Sequence, residues 1–515
     1  MKKILSNSIV VSIFLLLSKI LGFVRDLLLA TFFGSSSALQ AFLIAFRLPE
    51  FMRKVTTSGV LTQVLNPHLE VGISKEQKSF IATVLYLVAV VLLFMTILAI
   101  SFSNFWVDLY GYGLSEVSFL ALVNSLFVIM IPYVLFNFVV GLILAVLNSH
   151  SRYIVSSLLP LILNVVMIIG IVLSPYANVP IEAVAYSVFI SGILQFVVAL
   201  GALHCLAGRI ELTKSIISLK DRKAKVFLRK LPLSFLGSAS FQINSLIETF
   251  FSSFLISGSL AWLYYADRVN QFLYGIFGTA IATVMIPHLV EVYSNRKKFY
   301  ESLTWIIKIT VVVTIPAIIG LFVLSKPIVI TLFYYGKFSL VDVANTRIAI
   351  VGYLVSLFCI VIARIVISAL YAQNKSRPVY VIAIFSILCN IIFDSFIVYN
   401  YASCNYAFAY LAISTSMISM FNLVLLLIVL AEYSWSLFLR LYCSSAWLLK
   451  IALASFVMII ILKMFNLSSD YWLSLAMFGR LTHILLIVSL GLISYVAVMW
   501  FLGARKEVFR DNSKL

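Results

Sequence analysis

Charge is what this 515-residue chain has least of. Asp, Glu, Lys and Arg together make up 11% of it, against 63% for its apolar residues. Soluble domains run at about 25% charged and about 45–50% apolar, and no soluble core could hide such a surplus. Soluble enzymes, nucleic-acid-binding domains and secreted disulfide scaffolds are thereby excluded, and lipid is the solvent for most of the chain. Cysteine is sparse as well. Cys205, Cys359, Cys389, Cys404 and Cys443 are scattered without a CxxC spacing, which argues against a disulfide framework and against a thiolate metal site. A leader cleavage site is also lacking. Lys2-Lys3 and the apolar stretch to Leu17 imitate a signal peptide, but Ser18-Lys19 leads straight into more helix, so the first span is expected to stay uncleaved.

What is there is a series of apolar runs. About 20 apolar residues cross a bilayer core, and candidate runs fall at 7–33, 38–66, 79–103, 117–147, 153–174, 182–206, 228–256, 259–290, 302–324, 345–372, 378–399, 405–431, 446–465 and 476–502. Numbering the connections alternately puts 23 Lys and Arg on one side and only Lys326 and Lys337 on the other. Segment 207–230 alone supplies eight: Arg209, Lys214, Lys220, Arg222, Lys223, Lys225, Arg229 and Lys230. Lys and Arg collect in cytoplasmic loops, so the formal net charge of +18 is read as topology and not as a nucleic-acid footprint. The expectation is an all-α polytopic protein of a bacterial inner membrane, with fourteen transmembrane helices and both termini cytoplasmic.

Two stretches repeat. Phe46-Arg47-Leu48-Pro49-Glu50-Phe51 and Asn66-Pro67-His68-Leu69-Glu70-Val71 match Asp267-Arg268-Val269-Asn270-Gln271-Phe272 and Ile286-Pro287-His288-Leu289-Val290-Glu291-Val292. Asn148-Ser149-His150-Ser151-Arg152 likewise matches Gln373-Asn374-Lys375-Ser376-Arg377. Six helices per copy is an even number, so the copies are parallel repeats, as in transporters whose lobes rock about a central cavity. The expected domains are an N-terminal lobe at 1–206, a basic cytoplasmic linker at 207–227, a C-terminal lobe at 228–432, and a final helix pair with a cytoplasmic tail at 433–515.

A charge at the bilayer centre costs about 2.5–3.5 kcal/mol on insertion scales, so such residues pair, line cavities or sit near an end. The first span holds Lys19, Arg25 and Asp26, the second Arg47, Glu50, Arg53 and Lys54, and the eighth Asp267 and Arg268. Arg47, Glu50 and Arg53/Lys54 recur on one helical stripe. Arg25/Asp26 and Asp267/Arg268 are open to a second reading as mutually neutralising structural pairs, and Arg47 and Lys54 to snorkelling. Lys19, Arg25, Arg53 and Arg268 together point to an anion-binding cavity, because the planar guanidinium fork suits a phosphate or diphosphate. An acidic and amide group follows: Glu248 in the seventh span, and Asn390 and Asp394 one turn apart in the eleventh. Hard oxygen ligands suit a small cation; the alternative is a buried hydrogen-bond network between helices. His68 and His288, each after a proline, read as capping or interfacial residues.

Ser18-Lys19-Ile20-Leu21-Gly22-Phe23-Val24-Arg25-Asp26, followed by Ala41-Phe42 and Phe46 to Lys54, resembles the MurJ (MviN) lipid II flippases, and Trp262 to Arg268 and Tyr335-Gly336-Lys337-Phe338 carry the likeness into the second half. That family belongs to the multidrug/oligosaccharidyl-lipid/polysaccharide exporter superfamily, with two six-helix lobes and two extra helices that form a groove for the polyprenyl tail. The resemblance implies a transporter and not an enzyme, moving the lipid-linked peptidoglycan precursor from cytoplasmic to periplasmic leaflet by alternating access. It implies lipid II, membrane lipids and proteins of cell-wall synthesis and division as partners of a monomeric chain. The family's essential cavity arginines fall on Arg25, Arg53 and Arg268, and Asp26 matches the motif. In some members sodium binds between the seventh and eleventh helices, which Glu248, Asn390 and Asp394 resemble; no other cofactor is implied.

Four positions depart from the family pattern. Lys19 stands where arginine is usual, and Gln40, Ser58 and Gln271 stand where a well-known member has carboxylates, so the cavity is expected to be more positive than usual. The rival readings are an O-antigen-type lipid flippase and a drug/cation antiporter of the same superfamily. An antiporter should show carboxylates facing the first-lobe cavity, where this chain shows cations. A membrane-embedded glycosyltransferase would need a catalytic carboxylate or histidine cluster on an ordered loop, which segment 207–230 lacks.

Overall fold

Helices are the only regular structure among the described residues, as lipid requires, since a backbone with no water must satisfy its hydrogen bonds within each segment. The computed structural model describes residues 2–57, 59–69, 74–111, 117–207, 221–292, 295–373, 375–431, 446–465 and 468–503, with their side chains except those of 2–9, 110, 111, 207, 233–241, 276–288, 290, 296, 431 and 446. The first helices are α1 (Lys2–Phe33), α2 (Ser37–Thr57), α3 (Val60–Leu65), α4 (Lys75–Ser101), α5 (Ser103–Gly111), α6 (Val117–Met130), α7 (Pro132–Ser149), α8 (Tyr153–Leu173), α9 (Pro180–Ala207) and α10 (Arg222–Ser252). They are followed by α11 (Ser259–Glu291), α12 (Arg296–Phe333), α13 (Leu340–Ala372), α14 (Ser376–Tyr401), α15 (Ala407–Ala431), α16 (Ala446–Phe465), α17 (Ser469–Ser474) and α18 (Met477–Phe501).

Local chemistry sets several starts. Ser74 accepts from the Gln77 amide and Asn295 from that of Lys298, while Ser339 and Asp342 form a reciprocal capping box at the head of α13. Each such cap satisfies an amide that a helix end leaves open.

Ten stretches among the described residues are long and apolar enough to cross a membrane, and they correspond to candidate runs three to six and nine to fourteen. The chain is a multi-pass membrane protein. The second run falls short of that apolar standard because α2 carries Arg47, Glu50, Arg53 and Lys54. Three expected boundaries change. Run 38–66 is two helices, broken at Gly59, whose φ of 86° is left-handed backbone that glycine adopts without a Cβ penalty. The corresponding second copy runs on unbroken as α11. Run 117–147 also divides, at Ile131, because Pro132 has no amide to continue the ladder and opens α7 instead. Run 302–324 lengthens to Arg296–Phe333 because the Asn295 cap starts the helix earlier.

The helices form two compact units, 1–261 and 262–515. In the first, α8 packs on α1 and α9, α7 on α9, and α2 on α6, α7 and α10. One apolar cluster joins Val60 and Leu61 to Phe80, Ile81, Ile143, Val146 and Phe227. In the second, α13 packs on α15 and α12, α14 on α15, and α16 on α18 and α12. Outward faces such as Val91, Phe94 and Met95 of α4 and Leu388, Ile392 and Phe396 of α14 are exposed and apolar, a surface that lipid and not water covers.

Close approach of helices rests on small residues. A Cβ at Gly141 of α7 would overlap Thr56 of α2 and lie 2.8 Å from a methyl of Leu61 in α3, whereas one at Gly201 meets nothing within 4 Å. Gly141→Leu is therefore expected to cost about 1–3 kcal/mol, the usual range for overpacking, and to lower the thermal unfolding midpoint in detergent. Gly201→Leu should leave it unchanged.

Candidate functional site

In the first unit the intramembrane charges form two linked clusters. Arg25 is buried on α1 with Asp26 beside it, and its Nε and Nη2 donate to Asp26 Oδ1 at 3.0 and 2.8 Å. Its Nη1 reaches across to α8, donating to Asn164 Oδ1 at 3.1 Å, while Asn164 Nδ2 donates back to the Ser18 carbonyl at 2.9 Å. The pairing reading of Arg25 and Asp26 is thus observed, and Asn164 fixes the guanidinium between two helices. Lys19 is exposed.

The second cluster sits on α2. Glu50, 3% exposed, faces Arg47 at 3.4 Å, Lys54 at 3.4 Å and Arg53 at 4.0 Å. The expected stripe is thus an ion-pair cluster of three cations around one carboxylate. Arg47 does not snorkel: its Nε donates to the Ser245 carbonyl of α10 at 2.8 Å, and its Nη2 donates to the same oxygen. Arg53 is the loosest of the three. Its buried Nε has no hydrogen-bond partner among the described residues.

In the second unit Arg268 lies half-buried on α11, its guanidinium 4.6 Å from the centre of the Tyr264 ring. Gln271 stands between Arg268 and Asp267, accepting from Arg268 Nη1 at 3.4 Å and donating to Asp267 Oδ2 at 2.5 Å. The Gln271 amide thus bridges the arginine and the aspartate. Gln40 is buried and bonded to the Ser35 carbonyl and to Ser257 Oγ; Ser58 lies outside the described residues.

Asn390 and Asp394 are both buried on one face of α14, and Asp394 Oδ1 accepts from Ser414 Oγ of α15 at 2.7 Å. Ser386, one turn before Asn390, accepts from Asn422 of α15 at 2.8 Å. The hydrogen-bond network between helices is therefore present at this stripe. Glu248 is half-buried on α10 of the first unit. Among the described residues no three His, Cys, Asp or Glu side chains cluster as a metal site would need. His68 follows Pro67 in a short 3-10 turn, and partial burial with the Lys230 and Lys223 charges holds its imidazole below the ordinary range. The side chain of His288 lies outside the description.

Three polar groups escaped the sequence reading. Asn164 stands alone in an apolar run, an isolated intramembrane amide that could have marked it. Arg364 of α13 donates to Tyr274 Oη at 2.9 Å. Arg480, 6% exposed at the head of α18, donates to the carbonyls of Ile330 and Tyr334 at the end of α12 and of Leu473 in α17. No carboxylate or spacing in the sequence announces these partners.

The sequence profile of the family described as Lipid II flippase MurJ matches residues 29–483. A probable lipid II flippase MurJ of Buchnera aphidicola is 31% identical over 99% of both chains. One from Vibrio cholerae is 30% identical over 98% of this chain and 97% of its own. Among solved structures, a lipid II flippase MurJ in an inward closed conformation superposes with a TM-score of 0.81 at 25% identity, covering 98% of this chain and 100% of that one. An inward-facing multidrug resistance MATE family transporter of the MOP superfamily shares the fold, with a TM-score of 0.66 at 15% identity over 81% of this chain and 96% of its own.

The Arg25–Asp26 pair makes a stability prediction. Removing one partner of a buried ion pair costs about 3–5 kcal/mol, whereas replacing both with apolar residues is often neutral. Asp26→Ala should therefore lower the unfolding midpoint in detergent more than the double variant Arg25→Met/Asp26→Leu does.

Proposed function

The chain belongs to the lipid II flippase MurJ family, and on that premise we propose that it moves lipid II, the polyprenyl-diphosphate-linked peptidoglycan precursor, from the cytoplasmic to the periplasmic leaflet by alternating access. No substrate bond is made or broken. The observation that carries this reading is the α2 cluster, in which Arg47, Arg53 and Lys54 gather around the buried carboxylate of Glu50 and concentrate cations at membrane depth. A diphosphate is the anion such a group of forks suits. Arg53, with its long ion pair and unpartnered Nε, has the freest fork to offer. Within the same unit Arg25 and Lys19 add to the grip, and Asp26 holds Arg25 in place. A drug/cation antiporter is disfavoured by the same concentration of cations.

In this reading the fourteen apolar runs each cross the membrane and both termini lie in the cytoplasm. An inward-negative potential contributes about 2.3 kcal/mol per charge per 100 mV, which draws an empty cationic cavity back towards the cytoplasm and resets the carrier. Sodium is the proposed coupling ion. Asn390 and Asp394 fit it as buried hard-oxygen donors one turn apart, and the bound ion would supply positive charge to that stripe. Proteins of cell-wall synthesis and division are the proposed partners of a monomer.

Arg53→Ala is expected to fail to support growth of a flippase-depleted bacterium while reaching the membrane at the wild-type level, and Arg53→Lys, which keeps the charge and loses the fork, to support it partly. Full growth of Arg53→Ala at normal expression would remove the assignment.

A further inference from the structure

A groove on the second unit plays no part in the transport reading. It has a volume of about 580 Å³ and runs along the seam of α13 and α15, lined by Arg347, Val351, Val355, Ile413, Met417 and Met420 among others. The two helices run in the same direction, since Gly352 lies on Ala412 and Ser356 bonds to Ser416 and Ser419. Val355, Ile413, Met417 and Met420 are exposed, so the groove opens on a face that lipid covers.

Arg347 stands at one end of it, two turns into α13, and is the only charged residue of the lining. It has no hydrogen-bond or ion-pair partner among the described residues. Arg347 is exposed at the start of the apolar run 345–372, the depth at which a guanidinium reaches the interface and meets lipid phosphates. From Arg347 to Val355 the helix rises about 12 Å at 1.5 Å per residue, close to half of the ~30 Å hydrocarbon core. One cation at the end of an apolar trough about one leaflet deep has the dimensions and polarity of a single lipid molecule.

We propose that this groove binds one anionic phospholipid. Its phosphate takes the Arg347 fork, and an acyl chain lies along Val351, Val355, Ile413, Met417 and Met420, where the unbranched methionines adapt to the chain. The lipid is a bound component of the protein and not its cargo, so the site stands whichever polyprenyl lipid the chain transports.

Native mass spectrometry of the purified full chain, titrated with phosphatidylglycerol and with phosphatidylethanolamine of the same acyl chains, tests this directly. The wild type should prefer phosphatidylglycerol. Arg347→Ala should weaken that binding about tenfold, the scale of one charge-assisted hydrogen bond. Met417→Trp, which fills the trough and keeps the cation, should weaken it as well, and Lys297→Ala should not. Soluble glycerol phosphate should fail to displace the lipid, because the chain and the phosphate are both needed. Equal affinity for the two lipids, wild-type binding by Met417→Trp, or displacement by glycerol phosphate would each overturn the proposal. So would preferential occupation by undecaprenyl phosphate, which would make the groove a place for the substrate's tail.

Discussion

A guanidinium at membrane depth must be paired, hydrated or bound to an anion, and the first two helices of this chain meet that constraint in two different ways. On α1, Arg25 is closed off by Asp26 and by Asn164. On α2, three cations gather around the carboxylate of Glu50, Arg53 at the longest distance and with its Nε unpartnered among the described residues. In the proposed reading the first arginine is held in place and the second is the fork offered to the diphosphate. On α11, Arg268 is oriented by the Gln271 amide and the Tyr264 ring.

The helices themselves were legible in the sequence, because a run of about 20 apolar residues has few alternatives in a 515-residue chain of this composition. Where the letters misled, apolar character continued across a backbone event. Val60 and Leu61 are as hydrophobic as the turn before Gly59, and Ile131 as the turn before Pro132, so hydropathy ran on where geometry stopped. The charged residues were equally legible, since each is conspicuous against so much leucine and isoleucine.

Their partners were not. Asn164 lies 139 residues from Arg25, and the Ser245 carbonyl 198 residues from Arg47; a backbone oxygen leaves no mark in a sequence at all. Arg480 is the extreme case, buried against the rings of Tyr334 and Tyr335 with backbone carbonyls as its hydrogen-bond acceptors. The α14 stripe shows the converse. Ser386, Asn390 and Asp394 share a face by spacing, and the structure adds that serine and asparagine side chains of α15 meet two of them. Such bonds replace the hydrophobic effect, which lipid does not supply between helices.

Membership of the lipid II flippase family and the clustered intramembrane arginines support the proposed reading, that the transported molecule is held by its diphosphate. The most direct measurement compares translocation by the purified protein in vesicles of fluorescent lipid II and of an analogue whose diphosphate is replaced by a neutral linker of the same length. Movement of the natural lipid with the neutral analogue left behind is the predicted result. Equal rates for the two would contradict a cationic grip and leave the arginines with a structural role alone.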